Sequence, residues 1–392
     1  MKRIYLDYNA TTPIRSEVLE SMLPYLREDF GNPSSIHSFG QMAKKGVEEA
    51  REKVARLIGA SPAEMVFTGS GTEASNLAIK GVASEKGQRG RHIITSAIEH
   101  HAVLNTCKQL EREGFRVTYL PVDRYGRVRP DDVRRAVTEE SVLITVMHAN
   151  NEVGTVQSLE EIGKIAHDHG ILFHTDAVQS VGKIPVDVNL LEVDLLSMSA
   201  HKLYGPKGVG ALYIRKGTSL HSLIHGGHQE MDRRAGTENV AGIVGLGKAA
   251  EMASLTLREK QGEIRNLRDY FWEKIQQNVD YVRLNGDLAK TLPNTLHAAF
   301  EYVEGESLVI NLDLHGIAVS AGSACTSGAV EPSHVLVAMG IPPMVAKGSL
   351  RFSLGIGTTR EEIDETVVVL KEVVHRLRSM SPHYVDMKKS KL

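Results

Sequence analysis

The chain has 392 residues, a formal net charge of −2, 42% hydrophobic and 24% charged residues, and two cysteines. That length suits two domains, or one large domain with an appendage, around a sizeable core. The charge argues against the basic face of a nucleic-acid binder, and two cysteines exclude a disulfide framework and point to a reducing compartment.

The opening MKRIYLDYNATTP turns polar before any apolar run long enough for a signal peptide, and no stretch is expected to reach the length of a membrane-spanning helix. Neither a nucleic acid nor a membrane is therefore an expected partner, and the expected location is cytoplasmic. From Phe67 to Gly81, FTGSGTEASNLAIKG places a Gly-Ser-Gly turn before an amphipathic helix. Backbone N–H groups of Gly71 and Thr72 could face an anion there, with the Thr72 hydroxyl added. Simple N-capping by Ser70 or Thr72 fits equally well. Neither a dinucleotide spacing nor a Walker lysine is present, so a single phosphate suits the turn better than a nucleotide.

The runs RHIITS, RVTYLPV, SVLITVMHA, GILFHTDA, VDLLSMSA and GVGALYI are rich in Ile, Val and Leu without alternation, as in strands buried on both faces. Between them VLNTCKQLEREG and LEEIGKIAHDHG read as helices ending at Gly, and Cys107 in the first reads as a small buried residue. Alternating strands and helices predict an α/β fold, a mostly parallel central sheet with helices on both faces. In such a sheet ligands bind beyond the carboxyl ends of the strands. Asp176 stands at one such end, either as partner of a buried cation or as a loop cap. Lys202, in SMSAHKLYGPKGVG, stands at another, either as a desolvated amine nucleophile or as a surface lysine. Lys207 reads as an ordinary surface lysine. The pairs His225/His228 and His100/His101 show no zinc spacing with a third ligand, and no metal is expected.

After about residue 250 the pattern changes. A long helix, KAAEMASLTLREKQGEIRNLRDYFWEKIQQ, leads to a strand YVRLNG, a helix ESLVINLDLHG and a closing helix TREEIDETVVVLKEVVHRLRSM, which reads as a smaller α+β domain. The predicted division is a large domain over 15–258 and a small one over 1–14 and 259–392. Within the latter, SAGSACTSG puts Cys325 among small residues where a thiol gains nothing from packing, so it reads as reactive. The basic end DMKKSKL matches a peroxisomal tripeptide but reads as a frayed, solvated tail.

An anion cradle, a strand-end carboxylate and a lysine together meet the needs of pyridoxal 5′-phosphate: a phosphate site, a partner for the pyridine nitrogen and a Schiff-base amine. YLDYNATTP, FTGSGTEASNLAIKG, EHHAVL, MHANNEVGTVQ, HTDAVQSVGK, SAHKLYGPKGVGALY, RRAGTENV, SAGSACTSG and LRFSLG go further. In this order, from Tyr5 to about Gly355, they resemble the cysteine desulfurases of the NifS/IscS type, fold-type I pyridoxal-phosphate enzymes of the class V aminotransferase family. The resemblance implies Lys202 as the Schiff-base lysine, Asp176 at the pyridine nitrogen, His100 stacked on the ring and moving protons, and Gln179 on the phenolic oxygen. It implies Gly71, Thr72, Ser199 and His201 around the phosphate, with Thr237 completing that cradle from the neighbouring subunit of a homodimer. Asn151, which would also contact the cofactor, and Arg351 would bind the substrate L-cysteine, Arg351 by its α-carboxylate. Cys325, on a loop spanning about 320–334, would attack the substrate sulfur and carry it as a persulfide to a protein acceptor such as an iron–sulfur scaffold, alanine being the other product. A selenocysteine lyase and a small-amino-acid aminotransferase are the rival enzymes. A non-catalytic module of the same fold would be expected to have lost Lys202 or Asp176.

Overall fold

The computed structural model describes residues 3–87, 89–321 and 332–389, so Cys325 lies outside the described residues. In chain order the elements begin with β1 (Ile4–Tyr5), α1 (Ser16–Arg27), α2 (Ser38–Leu57), β2 (Met65–Thr68), α3 (Gly71–Lys86), β3 (His92–Ser96), α4 (His101–Arg112) and β4 (Arg116–Leu120). Then come α5 (Pro130–Ala136), β5 (Ser141–Thr145), α6 (Leu159–Asp168), β6 (Leu172–Asp176), β7 (Leu195–Ser199), β8 (Gly210–Ile214) and α7 (Val240–Asn278). The rest are β9 (Val282–Leu284), β10 (Thr295–Phe300), α8 (Gly305–Leu314), β11 (Ile317–Ala318), β12 (Ser320–Ala321), α9 (His334–Ala338), α10 (Pro343–Lys347), β13 (Ser349–Ser353), α11 (Arg360–Ser379) and α12 (Pro382–Lys389).

Seven strands form the large sheet in the order β2-β8-β7-β6-β5-β3-β4. The pairs β3–β4, β3–β5, β5–β6 and β6–β7 are parallel, while β8 runs antiparallel to both neighbours. The central strands are buried on both faces because helices cover both. On one face α2, α6 and α7 pack with Phe67, Ile144, Phe173 and Leu196; on the other α3 and α4 bring Leu77, Ile79, Val103 and Cys107 against Ile93, Leu143 and Leu212. The edge strand β4 departs from the all-buried expectation, and β6 opens on the half-buried Leu172. A second sheet, β12-β13-β10-β9, packs α7, α8 and α11 around Phe271, Phe300, Leu350 and Phe352, with the rings of Phe271 and Phe352 edge-on at 5.0 Å. The N-terminal strand β1 lies parallel to β11, so residues 4–9 run beside the small sheet before the chain enters the large one.

Two expectations need correction. Among the described residues α7 is long and apolar enough to cross a membrane by length and composition. Its apolar half, with Ala241, Ile243, Leu246 and Ala249, packs in the core, which accounts for that composition through tertiary burial. The basic end of the chain is not frayed throughout: α12 continues through Lys389.

Candidate active site

The parallel strands end on one side of the large sheet, and the loops after them enclose a cavity of about 860 Å3. Ser70, Gly71, Thr72, His100, Asn151, Asp176, Gln179, Ser199, His201, Lys202 and Arg351 line it. Ser70 caps α3: its Oγ accepts the Glu73 N–H at 3.1 Å and its carbonyl accepts that of Ala74. Gly71 and Thr72 line the cavity, so capping by Ser70 leaves this helix start open to an anion. No larger residue fits at Gly71, where a Cβ would sit 2.7 Å from Val178 Cγ2 and 3.3 Å from Ser199 Cβ.

Asp176 is the last residue of β6 and is 6% exposed. Its Oδ1 accepts the Val178 N–H at 3.0 Å, and no salt bridge reaches it among the described residues. Burial pushes its carboxyl up, with the charges of His100 and Lys202 opposing. A carboxylate so placed favours a cationic ligand. His100 is open to the cavity, yet the walls around it depress its imidazole, Asp176 opposing and Lys202 adding to the shift. Its Nδ1 accepts the Ala102 N–H at 3.1 Å, so the neutral ring carries its proton on Nε2. Of the His100/His101 pair, the first alone lines the cavity.

Lys202 follows β7 in a 3-10 turn, and its Nζ donates to the carbonyls of Asn9 at 2.6 Å and Ala10 at 2.7 Å. Burial and then the Arg351 charge lower its pKa to about 8, against Asp7 and Asp176. Lys202 is thus half-buried, with its amine held by two backbone carbonyls. Burial and neighbouring lysines take His201 to about 4, leaving it neutral, with Nδ1 3.1 Å from Thr11 Oγ1. Gln179 Nε2 donates to Asn9 O at 2.9 Å, and its Oε1 accepts from Lys183 Nζ at 2.7 Å. Arg351, in β13, donates from Nη1 to Asn151 O at 3.0 Å and from Nη2 to Asp7 Oδ1 at 2.7 Å.

Thr237 is exposed and does not line this cavity within its own chain. Lys207, read as a plain surface lysine, is exposed but stands on the cavity wall. Cys107 is fully buried, and its thiol is pushed up to about 12 by desolvation. No group of three His, Cys, Asp or Glu is arranged for a metal among the described residues. Asp7, Asn9, Lys183 and Glu152 were not singled out from the sequence, although Asn9 alone joins Lys183, Thr295 and Asn294 through its side chain. Their signal was polar residues in short stretches: QSVGK and NNEV hold Gln179 and Asn151, whereas DYNA adjoins no residue that was singled out.

The family model for class-V aminotransferases matches residues 4–366. The chain belongs to that family, and within it to the cysteine desulfurases. A curated relative, the cysteine desulfurase IscS of Dictyoglomus turgidum, is 55% identical over the whole of both chains. A solved NifS-like protein superposes with a TM-score of 0.91 at 42% identity, covering 96% of this chain and all of that one. SspA in complex with cysteine superposes with a TM-score of 0.79 at 40% identity, covering 90% of this chain and 99% of that one.

The family's cofactor is pyridoxal 5′-phosphate, and the cavity fits it. The start of α3 with Ser199 and His201 suits a phosphate, the buried Asp176 carboxylate without a cationic partner suits a protonated pyridine nitrogen, and the Lys202 amine is lowered toward nucleophilicity.

Proposed function

We propose that this protein is a pyridoxal-phosphate-dependent cysteine desulfurase that converts L-cysteine to L-alanine and leaves the sulfur as a persulfide on Cys325. The observation that carries the reading is the convergence of the Lys202 amine, the Asp176 carboxylate and the Arg351 guanidinium on one cavity beside a helix N-terminus. When bound, the cofactor supplies an electrophilic carbon for amines and a ring that takes up electrons from the substrate α-carbon.

Gly71, Thr72, Ser199 and His201 would hold the phosphate, Asp176 the ring nitrogen and Gln179 the phenolic oxygen, with His100 and Asn151 against the ring. Arg351 and Asn151 would bind the substrate, Arg351 through the α-carboxylate by charge-assisted hydrogen bonds. Lys202, partly neutral near pH 8, would accept the α-proton at Nζ. His100, with its proton on Nε2, is the second group able to move a proton in the site. The Cys325 thiolate would attack the substrate sulfur: an S–S bond forms, the Cβ–S bond breaks, and its electron pair stays with Cβ, which takes a proton to become the alanine methyl.

The reading extends to a homodimer, with Thr237 reaching the neighbouring site. Its exposure supports this, as do Phe30, Ile36 and Phe39, large apolar residues left in solvent. It extends to a protein acceptor for the sulfur, an iron–sulfur scaffold being the chemistry that consumes it, and to the cytoplasm, where a thiol carrier stays reduced. The test is alanine release from L-cysteine by purified protein with added cofactor and thiol reductant. Stoichiometric alanine and sulfide are expected; cofactor-loaded protein that yields no alanine would overturn the reading.

A further inference from the structure

We propose that Asp7 is the positioning residue for Arg351, and that through it the site discriminates amino acids from amines of the same shape. The inference rests on the reading of Arg351 as the carboxylate clamp and deepens it.

The side chains of Arg351 and Asp7 are 10% and 16% exposed. Arg351 sits in the middle of β13, opposite His297 of β10 and Ser320 of β12. Both N–H groups of Nη2 are engaged, by Asp7 Oδ1 at 2.7 Å and Ser320 Oγ at 3.0 Å, and Nη1 reaches the carbonyl of Asn151. The Nε–H, in contrast, is buried with no acceptor among the described residues. A guanidinium fastened at both terminal nitrogens and left with an unanswered Nε–H is arranged to receive a further acceptor.

Asp7 is itself held rigidly. It forms a bridge with Ser353, whose N–H donates to Leu6 O at 2.8 Å while Tyr8 N–H donates to Ser353 O at 3.2 Å. The carboxylate thus stands on a backbone pinned to the strand that carries Arg351. It also answers a local excess of positive charge, since Arg351 acts unfavourably on both Lys202 and Lys183. Without Asp7, Glu152, a carboxyl on the same cavity wall that already feels Arg351, would compete for the guanidinium and draw it off the clamp. Asp7 touches neither reaction centre in this account; it acts by fixing where Arg351 points.

The experiment uses cofactor-loaded enzyme and reads the change in cofactor absorption as L-alanine or ethylamine is titrated in. These ligands differ by the carboxylate alone. Asp7→Asn is expected to weaken L-alanine about tenfold, equivalent to about 1.4 kcal/mol, and to leave ethylamine unchanged. Asp7→Glu, which keeps the charge but moves it by one methylene, should lie between, and it serves if the Asn variant does not fold. Equal losses for both ligands would mean a merely structural role and overturn the proposal. Tighter alanine binding would also overturn it, because Asp7 would then be a competitor for Arg351. Arg351→Lys separates the two levels: if that variant keeps the preference for alanine, the clamp reading fails, whereas a preference lost there but kept in Asp7→Asn sinks Asp7 alone.

Discussion

Arg51 and Glu230 are 179 positions apart in sequence, yet they meet through two 2.8 Å hydrogen bonds, with side chains 8% and 3% exposed. Glu230 Oε2 also accepts the Phe67 N–H at 2.7 Å, and Arg51 Nη1 donates to Met65 O at 2.9 Å, so the pair ties α2 and β2 to the segment before Thr237. Glu230, Met231 and Asp232 have φ of 46°, 57° and 64°, a left-handed run that non-glycine residues adopt only when their surroundings impose it.

Removing Glu230 leaves the buried Arg51 charge with Glu48 alone, a more exposed carboxylate 3.3 Å from Nε. Glu230→Ala is therefore expected to destabilise the protein by about 3–5 kcal/mol, read from denaturant unfolding of the cofactor-free enzyme. A loss under about 1 kcal/mol, typical of an exposed ion pair, would show that Glu48 alone answers the arginine. The same variant should weaken self-association if the segment after Glu230 serves the neighbouring subunit.

The Lys202 amine, lowered to about 8, makes a prediction for cofactor uptake. Only the neutral amine attacks a carbonyl. Capture of pyridoxal phosphate by the cofactor-free protein should accelerate with pH and level off a little above pH 8. Stopped-flow absorbance measures it. A rate that keeps climbing through pH 10 would mean an ordinary lysine.

The two cysteines should separate cleanly in a thiol-labelling experiment on native protein. Cys107 lies against Ile79, Val103 and Leu110 in the core, and its raised thiol is a poor nucleophile. Mass spectrometry is expected to find one fast-reacting thiol, lost in Cys325→Ala and kept in Cys107→Ala. Sulfur transfer should vanish with Cys325 as well, which an aminotransferase would not show. Rapid labelling at Cys107 would contradict the packing described here.

Six of the seven strands of the large sheet were legible as apolar runs, five of them largely buried and the edge strand β4 only partly so, whereas the fully buried β2 is four residues long and was not picked out. The two-residue strands β1, β11 and β12 leave no such trace. Helix α7 begins at Val240, eight residues before the predicted start at Lys248, because its first turns, VAGIVGLG, carry glycines that read as loop. Packing explains them: a Cβ on Gly247 would lie 2.6 Å from Ala50 Cα in α2. At the site, Gly71, Thr72, Asp176, Ser199 and Lys202 sit at or just after a strand end or helix start, where position suggests chemistry, whereas Arg351, in the middle of β13, was reached through the family resemblance alone. Asp7, Asn9 and Lys183 act through contacts with residues far away in sequence, such as Arg351 and Thr295, and no local pattern announces those.

Glu99 gives a pH-dependent prediction whose sign follows from its surroundings. It is fully buried, its Oε1 accepts from Ser96 Oγ and from the Met147 N–H, and its Oε2 has no partner among the described residues. Burial raises its pKa to about 8. Between about pH 4.5 and 8 the folded protein therefore holds a proton that the unfolded chain releases, so this group's contribution to stability is full at the acid end and falls as pH rises. Buried His174 and His297, lowered to about 3, act in the opposite sense at lower pH, because there the unfolded chain binds the protons. Stability should climb from about pH 3 to 6 and then decline toward pH 8. Glu99→Gln keeps an acceptor at Oε1 and cannot ionise, so it should gain on the wild type between pH 5 and pH 9. Urea denaturation of the cofactor-free protein at the two pH values measures this. An equal difference at both would mean that Glu99 is ionised throughout.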